Sequence, residues 1–246
     1  PGKFNFRASY AAGFRTPTLS ELYATDIAKK NDRLTIGNLD LKPEKNNYFS
    51  LSAEYVHERF SVSVNAFYNN IRDMIDYNTI ATGDKAMEQY GHKEVRQRDN
   101  IAEAKVHGIN VSANAYLGAG FNLSGGYTHL NTQDVELEQP IDKSIKNAYN
   151  INAQWAHSWK IYRLNINLNG RFNSKRFSKS YGYAPEYQLW DLNTRHSFNL
   201  KSVIIEPGCG MENLFDYMDD RPYNSNYATL TPGRSFYISL SLKFKS

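Results

Sequence analysis

Apolar and polar residues alternate with period two through much of the chain. In Leu164-Asn165-Ile166-Asn167-Leu168-Asn169, and again from Phe236 to Phe244, every second residue is apolar and those between are Asn, Ser, Tyr or Lys. Successive side chains of a strand point to opposite faces, so such runs predict strands with one apolar and one wet face. The same pattern recurs in Phe49–Tyr55, Phe60–Tyr68, Ile109–Ala115, Phe121–Tyr127 and Tyr149–Trp155, and more weakly in Phe4–Ala12, Trp190–Phe198 and Ile205–Met211. Ten strands are predicted. The run containing Pro207 is the least secure, because proline cannot donate to a ladder.

The connections alternate in length. Short ones fall near His57-Glu58-Arg59, Gly118-Ala119-Gly120, Ser158-Trp159-Lys160 and Leu200-Lys201-Ser202, and long ones run roughly over 15–46, 72–100, 131–146, 173–186 and 214–233. Short turns at one rim and long loops at the other are the habit of outer-membrane β-barrels, whereas a soluble sandwich has no reason to sort its loops. Two features favour the barrel over a soluble sandwich or an autotransporter-like β domain. The polar face carries Asn, Ser, Thr and Arg rather than the Lys and Glu of a solvated surface. Aromatic residues also gather at strand ends, among them Phe4, Phe14, Phe49, Tyr55, Phe60, Tyr68, Phe121, Tyr127, Trp155, Trp159 and Phe172, as two interfacial girdles require.

Composition changes the picture only in this light. The mean hydropathy of −0.63 suggests a soluble protein. It excludes only helical spans, because no uninterrupted apolar run exceeds three residues and a spanning helix needs about 18. Half-lipid strands with polar loops average to such a value, and the 26 asparagines then read as the wall of a watery lumen. Cys209 is the one cysteine, so no internal disulfide or CxxC site is available. The net charge of +4 is spread without a basic block, giving no reason to expect nucleic acid. The opening PGKFNFRASY lacks an initiator Met and an apolar signal core and starts in a strand, as a piece of something longer would.

Three stretches carry a family resemblance. The run Ala11 to Tyr23, AAGFRTPTLSELY, resembles the GFRAPSLKELY segment of TonB-dependent outer-membrane receptors, with Thr16 where Ala is usual. Gly37 to Lys45, GNLDLKPEK, resembles their GNPNLKPEKS box, and Asn213-Leu214-Phe215-Asp216 with Pro232-Gly233-Arg234-Ser235-Phe236-Tyr237 resembles their C-terminal signature. Asp73 to Tyr77 followed by Val106 to Val111 is similar to a pairing in the cobalamin and haem branch. The resemblance implies an all-β chain, an antiparallel transmembrane β-barrel of which residues 1–246 form the C-terminal portion, namely the last ten strands of a 22-stranded barrel whose plug domain is absent here. It implies a Gram-negative outer-membrane location, with long loops outside. Phe244 fits the aromatic end of the family's last strand, although Lys245 and Ser246 trail it.

The implied function is import of a scarce large ligand, a cobalamin-like corrinoid, haem or ferric siderophore, using inner-membrane proton-motive energy. The implied partners are outer-membrane lipid, the N-terminal barrel strands and plug, TonB and its energising complex acting through the missing N-terminal part, a surface lipoprotein, and the small-molecule ligand. An alternative reading is a self-contained ten-stranded barrel serving as pore, adhesin or structural anchor.

Receptors bind through aromatic faces and a few charged donors. Tyr23 in the first loop, Tyr77, Tyr90, His92, Arg96 and Arg98 in the second, Tyr181 and Tyr183 in the fourth, and Tyr223 and Tyr227 in the fifth are the candidate ligand contacts. Guanidinium groups suit an anionic chelate and tyrosines a flat macrocycle. Haem-type members carry a histidine between the first two boxes, and 18–36 contains none, so His92 is the loop residue available to replace it. The acidic groups Asp134, Glu136, Glu138 and Asp142, and Asp216, Asp219 and Asp220, lack EF-hand spacing and read as solvated loops, so neither metal nor cofactor is expected. Ser61, Ser63, Asn65, Asn165, Asn167, Asn169, Arg171 and Arg195 are expected on the lumen wall. No GxSxG, HExxH, Walker A or GxGxxG segment occurs, and catalytic residues are not expected.

Overall fold

Each of the ten alternating runs forms a strand in the computed structural model, which describes residues 2–178, 182–219 and 231–245. These are β1 (Lys3–Arg15), β4 (Glu44–Val56), β5 (Phe60–Thr82), β6 (Glu94–Gly118), β7 (Phe121–Asp134), β8 (Asn147–Trp159), β9 (Tyr162–Asn173), β12 (Tyr187–Asn199), β13 (Val203–Glu212) and β14 (Ser235–Phe244). They pair antiparallel in that order, each with its neighbour in the list, and among the described residues β1 and β14 do not pair. The loops add helix α1 (Leu19–Tyr23), strands β2 (Thr25–Ala28) and β3 (Arg33–Ile36), helix α2 (Gly83–Tyr90), and a small hairpin of β10 (Arg176–Ser178) and β11 (Gly182–Ala184). Pro207 pairs with Leu240 of β14, while the β12–β13 ladder is interrupted between Arg195–Gly208 and Phe198–Ile205 and then resumes without a shift. The missing N–H costs local rungs and leaves the strand intact.

The loop expected over 72–100 is instead mostly ladder. β5 and β6 continue together to Thr82 and Glu94, through register shifts between Ile71 and Met74, Met74 and Ile75, and Thr79 and Ala81. Bulges change which face alternate residues occupy, so the two-residue period that marks the strands lower down is lost here.

Registers align the alternating faces into two surfaces. One row runs Phe4, Tyr55, Val62, Ala113, Gly125, Ile151, Gly170, Trp190 across eight strands. It starts near the short-turn end of β1 and finishes near the long-loop end of β12, the stagger of tilted barrel strands. Its members are apolar, and Phe6 and Ile238 on this outward face are 75% and 88% exposed, which water would penalise and lipid rewards. The opposite face carries Ser61, Ser63 and Asn65 on β5, Asn165, Asn167, Asn169 and Arg171 on β9, and Arg195 on β12, in register with one another as expected of a lumen wall. Neighbours there satisfy each other: Ser63 and Ser112 hydroxyls lie 2.7 Å apart, Thr128 donates to Asn110 at 2.9 Å, and Asn152 donates to Asn167 at 2.9 Å.

Ring contacts mark the edges of the apolar band. Near the short turns Phe4 meets Tyr55, Tyr55 meets Phe60, Phe121 meets Trp155, and Tyr162 meets both Trp159 and Phe198. Toward the loops Tyr10 meets Phe49, and Tyr149 meets Tyr127 and Phe172. Between these girdles Trp190 lies across Gly170, where an added Cβ would come within 2.7 Å of the indole ring. The face assignment predicts a directional result. In the intact protein Val64→Arg, outward and midway between the girdles, should destabilise assembly by about 2–4 kcal/mol, while Asn65→Arg on the inner face should be nearly neutral. The heat-modifiable fraction in outer membranes measures both.

Candidate ligand-binding site

The sheet has little core of its own, and the cluster of buried apolar residues lies in its loops. β2 and β3 form a hairpin, and β3 docks parallel on β6 with Arg33–Ile36 beside Glu94–Gln97. Together with β5 this makes a small four-stranded platform, in the order β2, β3, β6, β5. Alternate residues point to opposite sides. On one side Leu34 and Val95 pack with Ala86 of α2, supported by Ile36, Ala81 and Tyr90. On the other, Arg33, Arg96, Arg98, Tyr77, Asp26 and Thr35 line a cavity of about 290 Å3, which Ser20 and Ala24 at α1 help to close.

The cavity is cationic and two of its three arginines are held. The Arg98 guanidinium sits 3.6 Å from the centroid of the Tyr77 ring and donates to the Tyr77 hydroxyl, a stacked arrangement that fixes the planar group. Arg96 donates from Nε to Glu94 at 2.6 Å. Arg33 has a buried Nε without an acceptor among the described residues.

Tyr77, Arg96 and Arg98 are therefore brought together at one cavity, and Arg33 joins them. Arg33 was missed because it reaches β6 through a long loop, although the run Arg33-Leu34-Thr35-Ile36 alternates and could have marked a strand. Other candidates lie apart from the cavity. Tyr90 supports the buried cluster on the opposite side of the platform. His92 shares a 2.9 Å hydrogen bond from Nδ1 with Asp32, and that bond holds the Asp32 carboxyl below its usual range. Tyr23 is exposed at the end of α1, and Tyr183 is exposed on β11 against Phe177. Tyr181, Tyr223 and Tyr227 lie outside the described residues. A second cavity, of about 420 Å3, opens at the loop end of the inner wall between Arg171, Tyr187, Asp191, Glu212 and Ser235.

A family model for the TonB dependent receptor-like β-barrel matches residues 2–214. The chain belongs to the TonB-dependent receptor family. Solved structures share the fold. A mutant of the ferric enterobactin receptor PfeA from Pseudomonas aeruginosa is 20% identical with a TM-score of 0.72, over 98% of this chain and 38% of that one. BauA, the ferric preacinetobactin receptor from Acinetobacter baumannii, is 17% identical with a TM-score of 0.69, over 98% and 34%. The copper transporter OprC is 14% identical with a TM-score of 0.70, over 98% and 37%. The chain thus spans little more than a third of the length of these proteins. The family's members are receptors and transporters, not enzymes.

The stretches that resemble the TonB-dependent family turn out to be the fastenings of the loops. Arg15 ends β1 and donates from Nε and Nη2 to Glu44 at 2.7 and 2.6 Å, and from Nη1 to Glu21 at 2.9 Å. Glu21 also closes a capping box with Thr18 at the start of α1, and Glu44 accepts the Ile75 N–H at 2.9 Å, reaching the β5 bulge. Gly37 passes so close to α1 that a Cβ would lie 2.5 Å from the Leu22 carbonyl oxygen. Asn38 donates to the Arg98 carbonyl, and Asn100 exchanges hydrogen bonds with the Lys42 backbone. At the other end of the chain buried Asn213 bonds the Tyr217 backbone through both side-chain atoms, donates from its side chain to the Pro232 carbonyl, and donates its own N–H to the Asp191 carboxylate.

Arg15 pulls both carboxylates down, Glu21 to about 2 and Glu44 below its usual range. Because the folded values lie below the unfolded ones, the stabilisation is complete above about pH 4.5 and is lost as the pH falls toward 2. In the intact receptor the 16–43 segment should keep its protection from hydrogen exchange at pH 5, whereas Arg15→Ala should reduce it at neutral pH by on the order of 2 kcal/mol. Unchanged protection in that variant would show that the fastening lies elsewhere.

Proposed function

We propose that residues 1–246 are the C-terminal portion of the barrel of a TonB-dependent outer-membrane receptor, the last ten strands of a 22-stranded wall, importing an anionic ferric chelate of the siderophore kind. The observation that carries the choice of ligand is the cavity lined by Arg33, Arg96 and Arg98 at the long-loop end of the wall. A cationic, partly aromatic site favours an anionic chelate over a corrinoid. The named receptors PfeA and BauA, which share the fold, take ferric siderophores. Haem is less favoured, because 18–36 lacks a histidine and the His92 imidazole is engaged with Asp32.

In this reading the protein is a gated binder in the Gram-negative outer membrane. The inner wall, with its rows of Asn, Ser and Arg, holds a plug by hydrogen bonds, and TonB draws on the inner-membrane proton gradient to release it. A surface lipoprotein is an additional partner of the same reading. The self-contained ten-stranded barrel draws less support, since its closure needs β1 paired with β14 and the described residues do not pair them.

Deleting the gene of the intact receptor should abolish growth on at least one ferric siderophore as sole iron source. Growth should return with the gene and not in a strain lacking TonB. Undiminished growth on every ferric siderophore tried, together with lost growth on cobalamin or haem, would overturn the choice of ligand.

A further inference from the structure

We infer that the cavity on the β2–β3–β6–β5 platform is an oxyanion subsite, which takes one planar, carboxylate-type arm of the ligand and not the whole chelate. The assignment rests on the receptor reading above for what is carried, and on the geometry of this platform for how it is held.

Charge comes first. Three guanidiniums line the cavity. Asp26 lines it too, and Glu94 is engaged by the Nε of Arg96 at 2.6 Å, so two carboxylates face three cations and one positive charge is left over. The surplus has an address. Arg98 is propped on Tyr77 and Arg96 is bound by Glu94, while Arg33 has a buried Nε with no acceptor among the described residues. Arg33 is thus the arginine of the cavity that no carboxylate or ring engages among the described residues, and an arriving oxyanion supplies that partner. Guanidinium forks match the two oxygens of a carboxylate in one plane.

The second element is preorganisation. The four-residue parallel ladder between β3 and β6 sets Leu34 and Val95 into the buried cluster with Ala86, and the same alternation sends Arg33 and Arg96 to the other side. The apolar packing therefore holds the arginines in place before any ligand arrives, which lowers the ordering cost of binding. Size sets the class of guest. At about 290 Å3 the cavity lies at the lower limit of sites that enclose a drug-sized molecule, roughly 300–1,000 Å3, so it encloses one arm while the rest of the ligand stays outside.

The experiment uses the intact receptor in detergent, titrated with sodium benzoate and with benzamide as a neutral counterpart of similar shape. Benzoate should bind saturably and benzamide should not. Arg33→Gln and Arg98→Gln should each weaken benzoate at least tenfold, and Lys201→Gln at a short turn should leave it unchanged. Hydrogen exchange over 25–36 accompanies each variant, so that a loss through unfolding of the hairpin is recognised; in that event Arg33→Lys, which keeps the charge and removes the fork, should still weaken benzoate severalfold. Equal binding of benzamide, or full benzoate affinity in folded Arg33→Gln, overturns the subsite. Ferric siderophore uptake in cells separates the two proposals. Wild-type uptake with undiminished Arg33→Gln benzoate binding fails the subsite alone, whereas Arg33-dependent benzoate binding without any ferric uptake fails the siderophore reading alone.

Discussion

The structure depends on one constraint, that a strand in hydrocarbon must pair every backbone N–H and C=O while giving lipid and lumen different side chains. An antiparallel sheet meets the first demand through its ladders and the second through its two-residue period. Everything else on the wall follows. The outward row from Phe4 to Trp190 is apolar across eight strands because the registers carry one parity from each strand to the next. The inward side has Asn, Ser and Thr in the intervening places, paired with one another across strands. A one-residue slip would exchange the two faces at once, and the girdle contacts of Phe4 with Tyr55 and Tyr10 with Phe49 mark the level as well as the side.

A sheet that faces lipid and lumen cannot also bury a conventional core, and this moves the apolar packing into the loops. Val95 and Ala86 are fully buried in a cluster with Leu34 beyond the outer girdle. The extension of β5 and β6 past the membrane supplies the edge on which β3 docks. The cationic cavity and the packed cluster are then two faces of one small sheet, so the site inherits its rigidity from packing, not from the loops that connect it.

The wall was legible in the sequence because its physics is local and periodic. All ten strands were readable from alternation, even the one that contains Pro207, and so was the sorting of short and long connections. The loop architecture was less legible for equally physical reasons. Three register shifts between Ile71 and Ala81 scramble the period that would have revealed the upper β5–β6 hairpin. The partnership of Arg33 with Arg96 depends on parallel pairing across about sixty residues of chain, which no local pattern encodes. Tyr90 and His92 share a segment with Arg96 and Arg98, and composition alone cannot separate a tyrosine packed on a buried cluster from one facing a cavity. Nearness in sequence grouped Tyr90 with Arg96 and Arg98, which the platform places on opposite sides.

The family boxes acquire a mechanical reason in the same way. Arg15 stands at the top of β1, Glu21 in α1 and Glu44 opposite Arg15 at the loop end of the return strand β4, and the Arg15 guanidinium joins the two carboxylates. Glu44 passes the connection on to the bulge at Ile75, and Asn38 and Asn100 tie the second box to β6 beside Arg98. A long loop pays a large entropic cost for a defined position, and the charged bonds of Arg15 and Glu44, stronger than neutral ones, together with the neutral amide bonds of Asn38 and Asn100, fix the first loop against the second at several points. The cavity needs that arrangement, since Asp26 and Arg33 arrive on the first loop and Tyr77, Arg96 and Arg98 on the hairpin beneath it. Arg15, Glu21 and Glu44, which do not line the cavity, thereby decide whether it exists, while Ser20, Gly37 and Tyr77 from the same recognisable stretches form part of its wall.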